Sequence, residues 1–461
     1  MTETSIFWKV IESVSDQGRR LIRLGDAGNV RNAPIEVLSR ALVSEKGEAS
    51  GVAVADLFIE RYRSLDEDAK LEFFALLRDE FGPDTARLDA ALASYRADEE
   101  SPRGQSDLHY ATEPLRQELL RRINAAPGGI AALVGMRADL LDALREHPDL
   151  SVVDDDFEHL FRSWFNRGFL VLTRIDWQTP AAILEKIIEY EAVHAIDGWE
   201  DLRRRVDAPD RRLYAFFHPA LIDIPLIFVE VALTRDNPDS IQEILAEDRK
   251  PVPVEEVSTA VFYSISNCQR GLRGVAFGSF LIKQVVDDLR QELDRLNSFV
   301  TLSPIPGLRQ WLTDQADADD GLFGDQEKAV VSEPALQDLP GLEDADAEVR
   351  KSLLALAAHY LVQGKARDGR PADPVARFHL GNGARLDRLN WLADTSVTGL
   401  ARSFGIMVNY RYVIDEIEAN HEAFANQGTI AASSSVRRLL RVQRTVDRTK
   451  SRSETTEPSL T

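Results

Sequence analysis

Two short strings place residues able to do chemistry beside turn-forming ones: Ser303 precedes a proline in LSPIPG, and His379 falls within FHLGNGA. A serine hydroxyl can donate and accept a hydrogen bond, and a free imidazole titrates near neutral pH and can deliver a proton. As isolated residues they fit better a turn-starting serine and a partly buried histidine with a backbone partner. Tyr412, in NYRY, sits on an alternating stretch and by type alone fits a core scaffold. A third stretch has glycines at 271, 274 and 278 between a strand-like run and an apolar helical stripe. Backbone N–H groups at a helix start, approached past glycines, suit a phosphate, with Arg270 and Arg273 near enough in sequence to add charge. The same glycines also fit a turn that only tightens the chain. GxxxxGK[ST] and GxGxxG are both absent, which disfavours a P-loop ATPase and a dinucleotide-binding dehydrogenase.

The elements around these residues follow from periodicity. Thr259–Asn267 alternates as a strand does, whereas Ile282, Val285, Val286, Leu289, Leu293 and Leu296 recur every three or four residues as on a helix face. From residue 5 to about 164 helical periods dominate, first at Ile6, Val10, Ile11 and Val14, then over 34–44, 52–64, 66–80, 84–97, 112–124, 130–146 and 155–166. SPRG at 101–104 and APGG at 126–129 read as turns between helices. Beyond Phe165 the pattern becomes strand, two helices, three strands, helix, strand, a helix near 350–365 and a final strand at 406–413. Three consecutive strands exclude a simple βαβ barrel and predict a mixed α/β domain. Residues 313–348 carry 12 acidic residues against one lysine and read as an exposed insertion without an EF-hand pattern.

The chain has 461 residues, 55 basic against 76 acidic, for a net charge of −21. That balance argues against a general nucleic-acid or anionic-membrane surface and requires any anion site to be a local pocket. No stretch approaches the roughly 18–20 apolar residues of a spanning helix, and the first residues lack a secretory pattern, so a soluble, cytoplasmic protein is expected. Cys268, the single cysteine, permits no intrachain disulfide and reads as a structural thiol. A homo-oligomer is the general prior for such a protein.

Three strands, a glycine turn opening a helix and a further strand resemble the CoA-dependent N-acetyltransferase (GNAT) fold. SISNCQRGLRGVAFGSFLIKQVV, SFVTLSPIPGLRQWL, FHLGNGARLDRLNWLADTS and GIMVNYRYV, in this order, resemble the malonyl-CoA decarboxylase family, most strongly over residues 165–415. The resemblance implies an α+β chain with an all-α helical bundle over 1–164 for scaffold and oligomerisation. It implies a mixed α/β GNAT-fold catalytic domain over 165–445, carrying the acidic insertion; the polar tail, 446–461, is expected to be disordered. It assigns CoA binding to Arg273, Gly274, Val275, Ala276, Phe277, Gly278 and Ser279. It makes Ser303 and His379 the substrate-binding and catalytic pair, with Tyr412 near the acyl group. Malonyl-CoA would lose CO2 to give acetyl-CoA through an enolate held by its own thioester, a reaction that calls for no metal or organic cofactor. An N-acyltransferase and a non-catalytic malonyl-CoA sensor fit the same fold; the strings around Ser303 and His379 favour decarboxylation.

Overall fold

The computed structural model describes residues 33–44, 48–97, 101–275, 281–317, 323, 325–332, 339–366 and 369–440. The first expected stripe, part of the glycine turn (Ala276, Phe277, Gly278 and Ser279) and the polar tail lie outside these. Internal contacts divide the chain into two units, one of residues 1–171, 217–226 and 268–277, the other of 172–216, 227–267 and 278–461.

The first unit is helical. Its helices are α1 (Ile35–Leu42), α2 (Glu48–Arg63), α3 (Glu67–Glu80), α4 (Thr85–Ala97), α5 (Pro102–Ala111), α6 (Leu115–Asn124), α7 (Gly129–Ala143) and α8 (Ser151–Trp164). Apolar residues at helical spacing close the core: α8 buries Val153, Phe157, Leu160 and Phe161, and α3 buries Phe73, Phe74 and Leu77. SPRG is the start of α5, where Ser101 accepts the Gly104 N–H and Pro102 takes the first helical position. In APGG, Gly128 has φ +70°, and a Cβ on Gly129 would lie 2.0 Å from the Ile123 carbonyl oxygen, so this turn needs glycine at both places.

The second unit is built on a mixed sheet. In chain order its elements are β1 (Val171–Ile175), α9 (Ala181–Tyr190), α10 (Gly198–Val206), β2 (Arg211–Phe217), β3 (Pro225–Thr234), α11 (Ile241–Leu245), β4 (Thr259–Asn267), α12 (Leu281–Glu292), β5 (Ser298–Thr301) and β6 (Ser303–Pro304). There follow α13 (Leu308–Asp317), α14 (Asp325–Ser332), α15 (Leu339–Glu343), α16 (Ala347–Gln363), α17 (Pro374–Gly381), β7 (Arg385–Asn390), α18 (Val397–Ser403), β8 (Met407–Arg411) and α19 (Ile417–Gln427). The sheet runs β1-β2-β3-β4-β5-β8-β6, with β7 paired to β8. β4 and β5 are parallel, whereas β3–β4 and all pairs to β8 are antiparallel. β5 follows β4 only from Thr259 to Phe262, after which the two strands part.

Between β5 and β6 the strand is interrupted at Leu302. The Leu302 N–H bonds to Phe262 of β4, while Ser303 pairs with Val408 of β8. Side chains fill the break: Thr301 Oγ1 accepts the Tyr410 N–H at 3.1 Å, and Asn409 Nδ2 donates to the Thr301 carbonyl at 2.7 Å. β7 has no signal in the sequence because RLDRLN has polar side chains on both faces. Asp387 accepts from Arg411 across the ladder and from Arg385 along its own strand, each at 3.1 Å. The acidic segment is also not merely exposed, since it buries Phe323, Val331 and Leu342.

Candidate active site

β6 carries Ser303, α17 carries His379, and Tyr412 directly follows the last residue of β8. α17 starts where its sequence dictates: Asp373 accepts the Ala376 N–H at 2.8 Å and Pro374 sits at the first helical position. Its last turn carries His379, which the short ladder Ser303↔Val408 and the strand bearing Tyr410 bring between Ser303 and Tyr412. Ser303 Oγ lies 3.1 Å from His379 Nε2, and Tyr412 Oη lies 2.8 Å from His379 Nδ1. The three residues singled out from separate strings thus form one hydrogen-bonded line.

Two further residues complete it. Ser303 Oγ–H donates to Thr301 Oγ1 at 2.8 Å. Tyr410 stacks on the imidazole with ring centroids 4.7 Å apart and planes inclined by 25°. Phe262 and Phe378 add edge contacts to Tyr412 and His379. All of Thr301, Ser303, His379, Tyr410 and Tyr412 are buried. The sequence offered no distinguishing sign for Thr301, which reads as an ordinary β-former; Tyr410 was legible only as the neighbour of Tyr412 in NYRY.

Burial decides the charge state here. Desolvation lowers the His379 pKa from 6.5 to about 3, so the imidazole is neutral at physiological pH. The sequence expectation of a histidine titrating near neutrality therefore does not hold in this environment. Desolvation likewise raises the Tyr412 phenol above its ordinary value, which keeps it protonated. A neutral imidazole has one donor and one acceptor nitrogen. Of its contacts with Ser303 and Tyr412, one nitrogen therefore donates and the other accepts.

The described part of the glycine turn, up to Val275, belongs to the helical unit. Gly274 has φ +83°, and a Cβ on Gly271 would lie 1.9 Å from the Val134 carbonyl oxygen of α7. Gly271 is thus required by close packing, the plainer of its two sequence readings. Gly274 and Arg273 are exposed, Val275 is buried, and Arg270 pairs with Asp142 at 2.7 Å. The turn is fixed by a residue that sequence reading missed. Arg137, 1% exposed, donates to the carbonyls of Gly271 and Arg273 at 2.9 and 2.8 Å and pairs with Asp154 at 2.7 Å. Its position within the apolar stripe of α7 gives no sign that it caps a distant turn. Cys268 is buried. Among the described residues no group of three or more His, Cys, Asp or Glu is placed to hold a metal ion, and no helix is long and apolar enough to cross a membrane.

Two family models match the chain. The malonyl-CoA decarboxylase C-terminal domain matches residues 168–450, and the malonyl-CoA decarboxylase N-terminal domain matches residues 81–165. The crystal structure of malonyl-CoA decarboxylase from Rhodopseudomonas palustris is 54% identical, with a TM-score of 0.84 over 88% of this chain and 98% of that one. The corresponding structure from Agrobacterium vitis is 52% identical, with a TM-score of 0.81 over 88% and 99%. The mitochondrial malonyl-CoA decarboxylase of Mus musculus is 36% identical over 465 residues, covering 92% of this chain and 93% of its own.

Proposed function

Because the chain belongs to the malonyl-CoA decarboxylase family and converts malonyl-CoA to acetyl-CoA and CO2, we propose that Ser303 and His379 orient the malonyl carboxylate and protonate C2. The observation behind this reading is the buried line from Tyr412 Oη through both His379 nitrogens to Ser303 Oγ. Decarboxylation breaks the bond between C2 and the carboxylate carbon; its electron pair passes into the thioester carbonyl as an enolate, and CO2 leaves uncharged. C2 then needs one proton. The Ser303 hydroxyl turns from Thr301 to supply it, Nε2–H restores the serine, and the Tyr412 phenol restores Nδ1. The line then resets in reverse: as product leaves, a solvent proton enters at Ser303, Nε2 regains its hydrogen from the serine and Nδ1 returns its own to the Tyr412 phenolate, so each turnover consumes one proton. An enolate carbon is basic enough to take a proton from a neutral donor, so the depressed pKa of His379 does not disable it. A dry, uncharged site also favours the step, because it solvates a compact carboxylate worse than a delocalised enolate.

The thioester is the electron sink, and this reading asks for no metal or organic cofactor. CoA binding falls to the turn from Arg273 to Ser279, as in the family's motif. Arg273 is the side chain expected to meet phosphate, since Arg270 is engaged by Asp142. A homo-oligomer through the helical unit belongs to the same proposal, supported by exposed apolar side chains at Val37, Tyr110 and Val152. So does a cytoplasmic location, supported by a lone cysteine.

The test is incubation with malonyl-CoA alone, without acceptor or added cofactor, following acetyl-CoA by mass. His379→Gln should lower kcat by about 10²–10⁴-fold while CoA still binds with near wild-type affinity. Turnover close to wild type in that variant would remove His379 from the mechanism.

A further inference from the structure

We propose that Thr301 is a positioning residue that selects the tautomer of His379 and so the direction in which the proton line runs. The proposal rests on the reading of His379 as the proton source for C2. Thr301 is fully buried, and its hydroxyl oxygen receives two hydrogens, the Tyr410 N–H at 3.1 Å and the Ser303 O–H at 2.8 Å. A hydroxyl oxygen has two lone pairs, so both are engaged. The residue itself is held in place, because Asn409 Nδ2 donates to its carbonyl at 2.7 Å and Asn409 Oδ1 is fixed by Arg388 and Asn390 at 3.0 and 2.9 Å.

The consequence reaches His379 through Ser303. A serine has a single proton; while Thr301 accepts it, the 3.1 Å contact with Nε2 must carry the imidazole's proton. Nδ1 is then left as the acceptor, and it lies 2.8 Å from the Tyr412 phenol. Every hydrogen in the line points from Tyr412 toward Ser303, the direction in which C2 must be supplied. Without an acceptor at position 301, the Ser303 proton turns to Nε2. The imidazole then carries its hydrogen on Nδ1, facing Tyr412, and has no proton to pass to Ser303. In a site too dry to make an imidazolium, the tautomer takes over the control that protonation exerts in a solvated one.

Thr301→Val keeps the shape and removes the acceptor. With 15N-histidine labelling, and the His379 resonances assigned by their loss in His379→Gln, the wild type should show the Nε2–H pattern. Thr301→Val should show the Nδ1–H pattern, with kcat lowered about 100-fold and KM nearly unchanged. Thr301→Ser should restore both the pattern and the rate. Thr301→Cys, whose sulfur is a weak acceptor of similar size, gives an intermediate test if the valine variant does not fold. Retention of the Nε2–H pattern in Thr301→Val, or failure of Thr301→Ser to rescue, would overturn the proposal. A changed tautomer with an unchanged kcat would also overturn it, by separating the tautomer from turnover. The nitrogen pattern is read without substrate, so it stands apart from the His379→Gln result, which alone bears on the underlying mechanism.

Discussion

His379 is held in the state its surroundings impose rather than the one its chemistry would choose in water. With a folded pKa near 3 against 6.5 in the unfolded chain, the unfolded state binds the proton first as pH falls. Its contribution is therefore complete above about pH 6.5 and is lost progressively as pH falls toward the folded value. Between pH 7 and 5 this residue should cost wild type about 2 kcal/mol that His379→Gln does not lose, measured by urea unfolding of both proteins at the two pH values. An equal loss in the two proteins would mean that the ring is hydrated. Turnover should carry the same signature: kcat/KM should cross the range from about pH 8 to 5.5 without the acid limb of an ordinary histidine. At this scale the sequence revealed residue types but not their environment. Ser303, His379 and Tyr412 stand out through their strings, whereas the neutrality of the imidazole is a product of burial against Tyr410 and Tyr412, which come from a segment distant in sequence.

The elements that were legible are those whose periodicity and packing agree. Thr259–Asn267 is a strand, and the stripe Ile282, Val285, Val286 and Leu289 is buried on α12 as spacing predicts, although Leu293 and Leu296 fall beyond its end. β7 and the break between β5 and β6 were not legible, because both are stabilised by side-chain contacts between residues distant in sequence. Arg137 belongs to the same class: in sequence it interrupts the apolar face of α7, and in the fold it closes two carbonyls of the glycine turn while pairing with the partly buried Asp154. Removing it leaves those carbonyls and Asp154 without their partner. Arg137→Met should destabilise the helical unit by about 2–4 kcal/mol, less than a fully buried broken pair because Asp154 retains some solvent. Chemical denaturation monitored by far-UV circular dichroism measures this, with the exposed Arg162→Ala as a control expected to change little. A matching small effect in both variants would show that the turn does not depend on this clamp.

For the molecule as a whole, a charge of −21 sets an unusual condition on an enzyme whose substrate is a polyanion. Nucleic-acid and membrane binding were disfavoured on this ground, and the same charge predicts how the substrate approaches. At low ionic strength the Debye length is about 30 Å, so an incoming CoA ester meets the repulsion of the whole surface; at 0.15 M it is about 8 Å, and mainly charges close to the encounter are felt. Attraction by an exposed arginine such as Arg273 acts at contact, where screening is weaker than over the protein's diameter. Raising salt should therefore relieve repulsion faster than it weakens binding. We expect kcat/KM for malonyl-CoA to rise about 2- to 10-fold between 0.01 and 0.15 M salt, with kcat nearly constant. Initial rates across that range test it directly. A fall in kcat/KM would mean instead that a local basic field extends far enough to steer the substrate despite the net charge. Arg273→Ala separates the two cases, since it should raise KM without reversing the salt trend if long-range repulsion governs the approach, and should abolish the fall if that single charge does the steering.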